Sequence, residues 1–199
     1  GKLFEALGSE IDGLIIEAGK AVLSVYETDF AVDTKDDKSP ITEADRRAHH
    51  IIREGLSRIT AAASSRLPFL SEEGQHTPYP DRKKWERYWL VDPLDGTKEF
   101  VQHNGEFTVN IALIENGLPA AGWVYVPVTD VLYCGAVEAG AFRMENAAAA
   151  SGRDSKGAAA IHGRSGVSPV LQIVASRSHL SQATKTYIES IQKHLGKTA

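Results

Sequence analysis

The chain has 199 residues, 42% of them hydrophobic, a single cysteine and a formal net charge of -4 at pH 7. That is enough for one large domain or one domain and part of another, and the lone Cys134 excludes an intrachain disulfide or a zinc–cysteine cluster. The acidic balance argues against a general nucleic-acid binder, which carries a basic patch, but allows a phosphorylated small molecule, because a bound cation reverses the local field. No run approaches about 18 continuous apolar residues, so no membrane span is expected. The chain reads as cytoplasmic, or as peripheral at the inner face of the membrane.

Leu3, Leu7, Ile11, Leu14, Ile15, Ala18 and Val22 recur at helical spacing among charged residues, predicting an amphipathic helix that ends near Tyr26. The polar segment Asp33 to Ser39 predicts an exposed hairpin or a mobile loop. Pro40 then precedes a second helix, with Thr42 as N-cap and Ala48, Ile51, Ile52 and Leu56 as its apolar stripe. Leu67 to Leu70 predicts a short strand ending at Ser71-Glu72-Glu73, residues 74–84 a loop, and Tyr88 to Val91 a second strand with Asp92 at its exit. From Phe107 the chain reads as an antiparallel meander, with an Asn116-Gly117 hairpin turn and further strands at Ala121 to Val126, Val131 to Cys134 and Ala141 to Met144. Residues 147–166 are small and polar and predict a connection. Val170 to Val174 predicts a strand and Ser181 to Leu195 a helix.

The chemistry concentrates in Asp92-Pro93-Leu94-Asp95-Gly96-Thr97. Carboxylates at a strand end and in the following turn can converge on one cation, with the Leu94 carbonyl as a further hard oxygen of the kind Mg2+ prefers. A helix starting near Thr97 would turn the Gly96 and Thr97 amides toward a phosphate. An acidic turn with Asp95 as a helix cap is the plainer reading. Glu72 and Glu73 leave a strand in the same way, so two such exits in one sheet can stand side by side. Asp45 lies one turn into its helix, where it favours the helix dipole or orients a water or the Thr97 hydroxyl. Arg177 is a candidate for a substrate phosphate. Lys38 is a second, or simply an exposed lysine. His49 and His50 are adjacent and cannot both face one ion, and the remaining histidines lack zinc spacing. There is no nucleophile elbow and no glycine-rich phosphate loop.

The string from Asp92 to Thr97, preceded by Trp89-Leu90-Val91, resembles the signature of the inositol monophosphatase superfamily of metal-dependent, lithium-sensitive phosphatases. LSEE (Leu70 to Glu73), RYWLVDPLDGTKEF (Arg87 to Phe100), NGEFTVNIALIENG (Asn104 to Gly117) and ITEADRRAHHII (Ile41 to Ile52) are similar to its bacterial 3'(2'),5'-bisphosphate nucleotidase branch. The resemblance implies a layered α/β fold, α-β-α-β-α, with a large and mostly antiparallel sheet between helices and a smaller second α/β region. Residues 1–146 would form the metal-binding domain, and 147–199 a linker and the start of the second. It also implies two or three Mg2+ ions in a complete site, held by Glu72, Asp92, the Leu94 carbonyl and Asp95. Asp45, Thr97 and Glu72 would act on the attacking water, while Asp95, Gly96, Thr97, Lys38 and Arg177 would meet the substrate. The implied reaction converts adenosine 3',5'-bisphosphate to AMP and phosphate in sulfur metabolism, by a monomer or homodimer that binds no nucleic acid. An inositol or sugar-bisphosphate phosphatase on the same scaffold remains open, as does a non-catalytic cation-binding module.

Members of this superfamily hold a further cation ligand in a Trp-Asp motif. No Trp-Asp pair occurs in these 199 residues, so the closing aspartate of a complete site is expected beyond Ala199.

Overall fold

The computed structural model describes residues 2–35, 40–62, 66–75, 77–149, 158–163, 165–166, 172–176 and 180–195. Two helices open the chain. In α1 (Lys2–Tyr26), Ile11, Ile15, Ala18 and Val22 are fully buried, and α2 (Glu43–Ala62) buries Ala48, Ile52 and Leu56 in the same way. Between the helices, β1 (Val32–Thr34) pairs antiparallel with β2 (Pro40–Thr42), and residues 36–39 of the polar segment expected as a hairpin or loop lie outside the described residues. Thr42 caps α2 as the sequence predicts, its Oγ1 accepting the Ala44 amide at 3.1 Å.

Seven strands form the main sheet in simple sequential order: β3 (Phe69–Ser71), β4 (Arg87–Asp95), β5 (Thr108–Glu115), β6 (Leu118–Val126), β7 (Val131–Ala136), β8 (Gly140–Glu145) and β9 (Ala158–Ile161). Among the described strands of this sheet, only β3 and β4 run parallel, and the other neighbour pairs are antiparallel. This is the layered α/β arrangement with a mostly antiparallel sheet that the sequence implied. The β5–β6 turn has Asn116 and Gly117 both at positive φ, 51° and 77°, as the tight hairpin requires.

Strand alternation sorts the faces. Trp89, Val91, Val109, Ile111, Leu113, Ala121, Trp123, Tyr125, Leu132 and Cys134 are buried in one core with the helices, whereas Leu90 and Val124 on the opposite face are about two-fifths exposed. The buried thiol reading of Cys134 therefore holds. Inside the core, Trp123 Nε1 donates to Asp12 Oδ1 at 2.8 Å, which ties α1 to the sheet and gives both buried polar groups a partner.

Several boundaries differ from the sequence reading. The loop 74–84 contains a helical turn, α3 (Tyr79–Arg82), started by Pro78 and Pro80, since proline suits a first helical turn. β4 continues through Asp95 instead of ending at Val91. Residues 158–161 lie in the stretch read as a connection but pair with β8, a small-residue edge strand without a strong periodic signal. Of the strand expected from Val170, residues 172–174 belong to no strand, and 170–171 lie outside the described residues. The expected C-terminal helix is present as α5 (Gln182–Leu195). The chain divides into two compact units, 1–162 and 163–199, with the whole sheet in the first and α5 in the second. Among the described residues, no helix is long and apolar enough to cross a membrane.

Two glycines let the layers approach. A Cβ on Gly19 would lie 2.3 Å from Tyr125 Cε1, and one on Gly55 would lie 2.2 Å from Leu14 Cδ1. The Tyr125 ring is fully buried and its hydroxyl is held by Asp130 Oδ1 at 2.8 Å, so it cannot retreat, whereas a leucine tip can. Gly19→Ala is therefore expected to destabilise the protein by about 1–3 kcal/mol through overpacking. For Gly55→Ala, the gain in helix propensity of about 1 kcal/mol should offset most of the strain. Urea unfolding of both variants checks the order, and equal stabilities would contradict this account of the packing.

Candidate active site

The acidic corner is made by backbone pairing. In the parallel pair, Phe69, Leu70 and Ser71 lie opposite Trp89, Leu90 and Val91, and the ladder is extended by Glu72 N donating to Val91 O at 3.1 Å. Parallel neighbours run toward the same edge of a sheet, so Glu72, just past the end of β3, comes next to Asp92, which is still in β4.

A bulge follows. Asp92 pairs with Asn110 and Asp95 with Thr108, three steps along β4 against two along β5. The extra residue falls at Pro93-Leu94, and such bulges re-aim side chains. Proline fits there because it supplies no ladder donor. Asp92 Oδ1 accepts the Leu94 amide at 3.2 Å, and Asp95 Oδ2 accepts Asn110 Nδ2 at 3.2 Å. Gly96 then turns the chain with φ at 95°. A Cβ there would sit 2.9 Å from Glu106 O and 3.3 Å from Phe107 Cα, both backbone atoms, so only glycine fits.

Gly96 leads into α4 (Thr97–Val101), which is little more than one turn long. The helix is anchored by fully buried Phe100, whose ring packs against Tyr26, Phe30 and Phe107 at centroid distances of 5.1, 4.8 and 5.1 Å. That anchor fixes Thr97. The Thr97 hydroxyl lies 3.2 Å from Asp45 Oδ1 and 3.1 Å from the Leu94 carbonyl oxygen, and its one proton serves either acceptor. Asp45 is 1% exposed, and its other oxygen accepts both the amide and the hydroxyl of Thr42 at 2.7 Å. Asp45 thus closes the start of α2 as a capping box does and still turns one oxygen toward Thr97. One Asp45 oxygen thus meets Thr42 and the other meets Thr97.

Burial pushes the Asp92 carboxyl up to about 7, aided by the charges of Glu72 and Asp95 beside it. Carboxylates brought this close disfavour one another's charge. The Glu72–Glu73 side of the corner is met by Lys35, whose ammonium lies 2.9 Å from Glu72 Oε1 and 2.5 Å from Glu73 Oε1. Burial works against the Lys35 charge, but hydrogen bonds and charges from both glutamates hold its pKa above the ordinary lysine range. Among the described residues, no three His, Cys, Asp or Glu side chains are already gathered as a metal cage. The donor chemistry nonetheless fits a hard divalent cation: Glu72, Asp92, Asp95 and the Leu94 carbonyl offer only oxygens, and the crowding around Asp92 is what a cation would relieve. A groove of 600 Å3 reaches this corner along the outer face of β3 to β6, past Leu90, Ala112, Gly122 and Val124.

Comparison with known proteins places the arrangement. The model of the inositol monophosphatase family matches residues 9–198. The chain belongs to that family. It is 42% identical over 179 residues to the 3'(2'),5'-bisphosphate nucleotidase CysQ of Escherichia coli K12, covering 89% of this chain and 66% of the relative. With the CysQ of Buchnera aphidicola it shares 41% identity over 177 residues, covering 88% of this chain and 61% of the relative. Among solved structures, CysQ from Bacteroides thetaiotaomicron is similar with a TM-score of 0.70 at 35% identity, covering 98% of this chain and 71% of that one. The chain thus lies close to the bacterial CysQ branch of the family, and it spans slightly under two thirds of the length of the curated relatives it matches.

Of the residues singled out from sequence, Glu72, Asp92 and Asp95 lie at one corner, and Asp45 and Thr97 lie hydrogen-bonded next to it. Lys38 and Arg177 lie outside the described residues. Sequence reasoning missed Lys35, which stands just past the last β1–β2 pair, Thr34 with Pro40. It also missed His49. Of the two adjacent histidines, His50 is exposed while His49 is half-buried, its Nδ1 2.9 Å from Ser71 Oγ and its ring against Phe69 at 5.6 Å. His49 therefore braces the end of β3 from α2, and no local pattern announces such a contact.

Burial lowers the His49 pKa, with the charges of Arg53 and His50 acting in the same direction. The folded state thus holds fewer protons at this site than the unfolded chain, and acid favours unfolding. Its contribution is complete above the usual histidine value near 6.5 and is lost as pH falls through the lowered folded value. His49→Gln keeps a hydrogen-bonding group and does not titrate, so wild type should lose stability relative to this variant as pH falls below about 7. Denaturant midpoints measured in parallel test this; a difference constant with pH would refute it.

Proposed function

We propose that this chain carries the water-activating and metal-binding half of a divalent-metal-dependent 3'(2'),5'-bisphosphate nucleotidase, which hydrolyses adenosine 3',5'-bisphosphate to AMP and phosphate. Family membership implies a metal-dependent phosphatase, and the similarity to CysQ proteins favours the nucleotide substrate over inositol or sugar phosphates. The observation that carries the reading is the part-buried Asp45–Thr97 contact beside the Asp92–Asp95 bulge.

In this reading Glu72, Asp92, Asp95 and the Leu94 carbonyl hold Mg2+. When bound, the metal lowers the pKa of water and offsets charge on the phosphoryl oxygens. Thr97 and Asp45 orient the attacking water. With the Thr97 proton directed to Asp45 Oδ1, a lone pair on Thr97 Oγ1 accepts a hydrogen bond from that water, and Asp45 takes up the proton as the new P–O bond forms. The bond from phosphorus to the ribose 3'-oxygen breaks, and that oxygen is protonated from solvent. Asp45 suits this work because its buried, triply hydrogen-bonded position gives it one orientation, which shortens the search for a reactive geometry. The amides of Gly96 and Thr97 receive the phosphate, and the Asp95 carboxylate would meet it only through the cation it helps to hold. Because α4 is so short, these amides carry the interaction locally, with little help from a helix dipole. Lys38 and Arg177 remain candidates for further phosphate contacts, and of residues 147–199, expected as linker and start of a second domain, those after β9 are the candidates for that opening, since 158–161 belong to the main sheet.

In the complete protein, Asp92→Asn or Asp95→Asn should lower phosphate release from adenosine 3',5'-bisphosphate by at least about 100-fold, as loss of a group acting on transition-state charge does. Circular dichroism should stay unchanged. Near-normal turnover in either variant at saturating substrate and Mg2+ would overturn the site assignment. Running the wild type on inositol 1-phosphate and fructose 1,6-bisphosphate in the same assay tests the substrate class, and faster release from either would transfer the reading to that class.

A further inference from the structure

Lys35 belongs to neither the signature string nor the water-orienting pair, yet its ammonium is hydrogen-bonded to the corner. It bridges two glutamates unequally. The Glu73 side chain is 9% exposed and its contact is the shorter, whereas the Glu72 side chain is 50% exposed. A half-exposed ion pair is weak, because water screens it and the long side chains lose freedom in forming it. A more buried, shorter contact is harder to give up, since the charge left behind would be desolvated without a partner. Lys35 is thus anchored on Glu73 and only loosely held on Glu72. Glu72 is also the glutamate whose charge bears on Asp92. An ammonium brings one positive charge on a flexible stem, while a divalent cation brings two to a corner where Glu72, Asp92 and Asp95 crowd together.

We propose that Lys35 competes directly with the divalent cation for the Glu72 carboxylate, pivoting on Glu73 as the cation takes Glu72, so that this lysine sets the metal affinity of the site. The inference rests on the functional reading above only in assigning Glu72 to the metal. Lys35 is a positioning residue in this scheme, since it acts through Glu72.

The test is Mg2+ titration calorimetry on the complete protein, with Lys35→Gln, Lys35→Arg and Asp92→Asn variants, at low salt and at about 0.5 M NaCl, where the Debye length is only a few ångströms. Lys35→Gln should bind Mg2+ about twofold to fivefold more tightly, the factor corresponding to loss of a half-exposed ion pair. Lys35→Arg should stay near wild type, and the gain in Lys35→Gln should persist at high salt because the competition is a contact. Unchanged or weaker binding in Lys35→Gln overturns the proposal. So does a gain that vanishes at high salt, which would reduce Lys35 to a distant charge. If Asp92→Asn binds Mg2+ as tightly as wild type, the metal reading itself fails, and that result is distinct from a failure confined to Lys35.

Discussion

Antiparallel neighbours send their C-terminal ends to opposite edges of a sheet, and parallel neighbours send them to the same edge. Among the described strands the parallel case occurs once, between β3 and β4, and the candidate site depends on it. Carboxylates repel, and neither Glu72 nor Asp92 would seek the other; the backbone ladder from Phe69 to Val91 holds them together. Hydrophobic burial of Trp89 and Val91 supplies the driving force. The raised pKa of Asp92 reports the resulting cost, with desolvation as its larger part.

Around this corner the groups divide by environment. Asp45 and Thr97 are fixed from behind: Asp45 by its bonds to Thr42, and Thr97 by the aromatic seat of Phe100. Glu72 and Asp95 are exposed and meet partners weakly, Lys35 in one case and Asn110 in the other. A phosphatase site of the proposed kind needs both sorts. A group that aims a water gains from a single orientation, whereas cation ligands must be able to exchange partners. The β4 bulge joins the two sets, since one inserted residue carries the chain from Asp92 in the ladder to Asp95 and the Gly96 turn.

Much of the fold was legible because its elements have clear periodicity. The α1 and α2 stripes, the meander from β5 to β8 and the Asn116-Gly117 turn all appear where the pattern puts them. Misses came where the pattern is weak. β9 is nearly all alanine, and three or four small residues do not distinguish a strand from a connection. β4 runs past its apolar stretch because pairing with β5 holds Asp92 and Asp95 in extended form, and polarity alone suggested an exit at Val91. At the site, the acidic residues could be found because metal chemistry concentrates them in one short string. Lys35 and His49 could not, since each meets its partners across 20 residues or more.

The sequence by itself determined the family, the layered class of fold and the identity of the candidate groups. Residue types and short-range spacing carry that information: the Asp92 to Thr97 string, the glutamate pair and the capping signal before Asp45. Tertiary structure alone decided which of them meet. It placed Glu72 beside Asp92, gave each Asp45 oxygen its own partner, set Lys35 on the two glutamates, and put His49 behind the end of β3. Those choices follow from strand direction, register and burial, which are properties of the whole packed sheet and leave no mark in any local window of the chain.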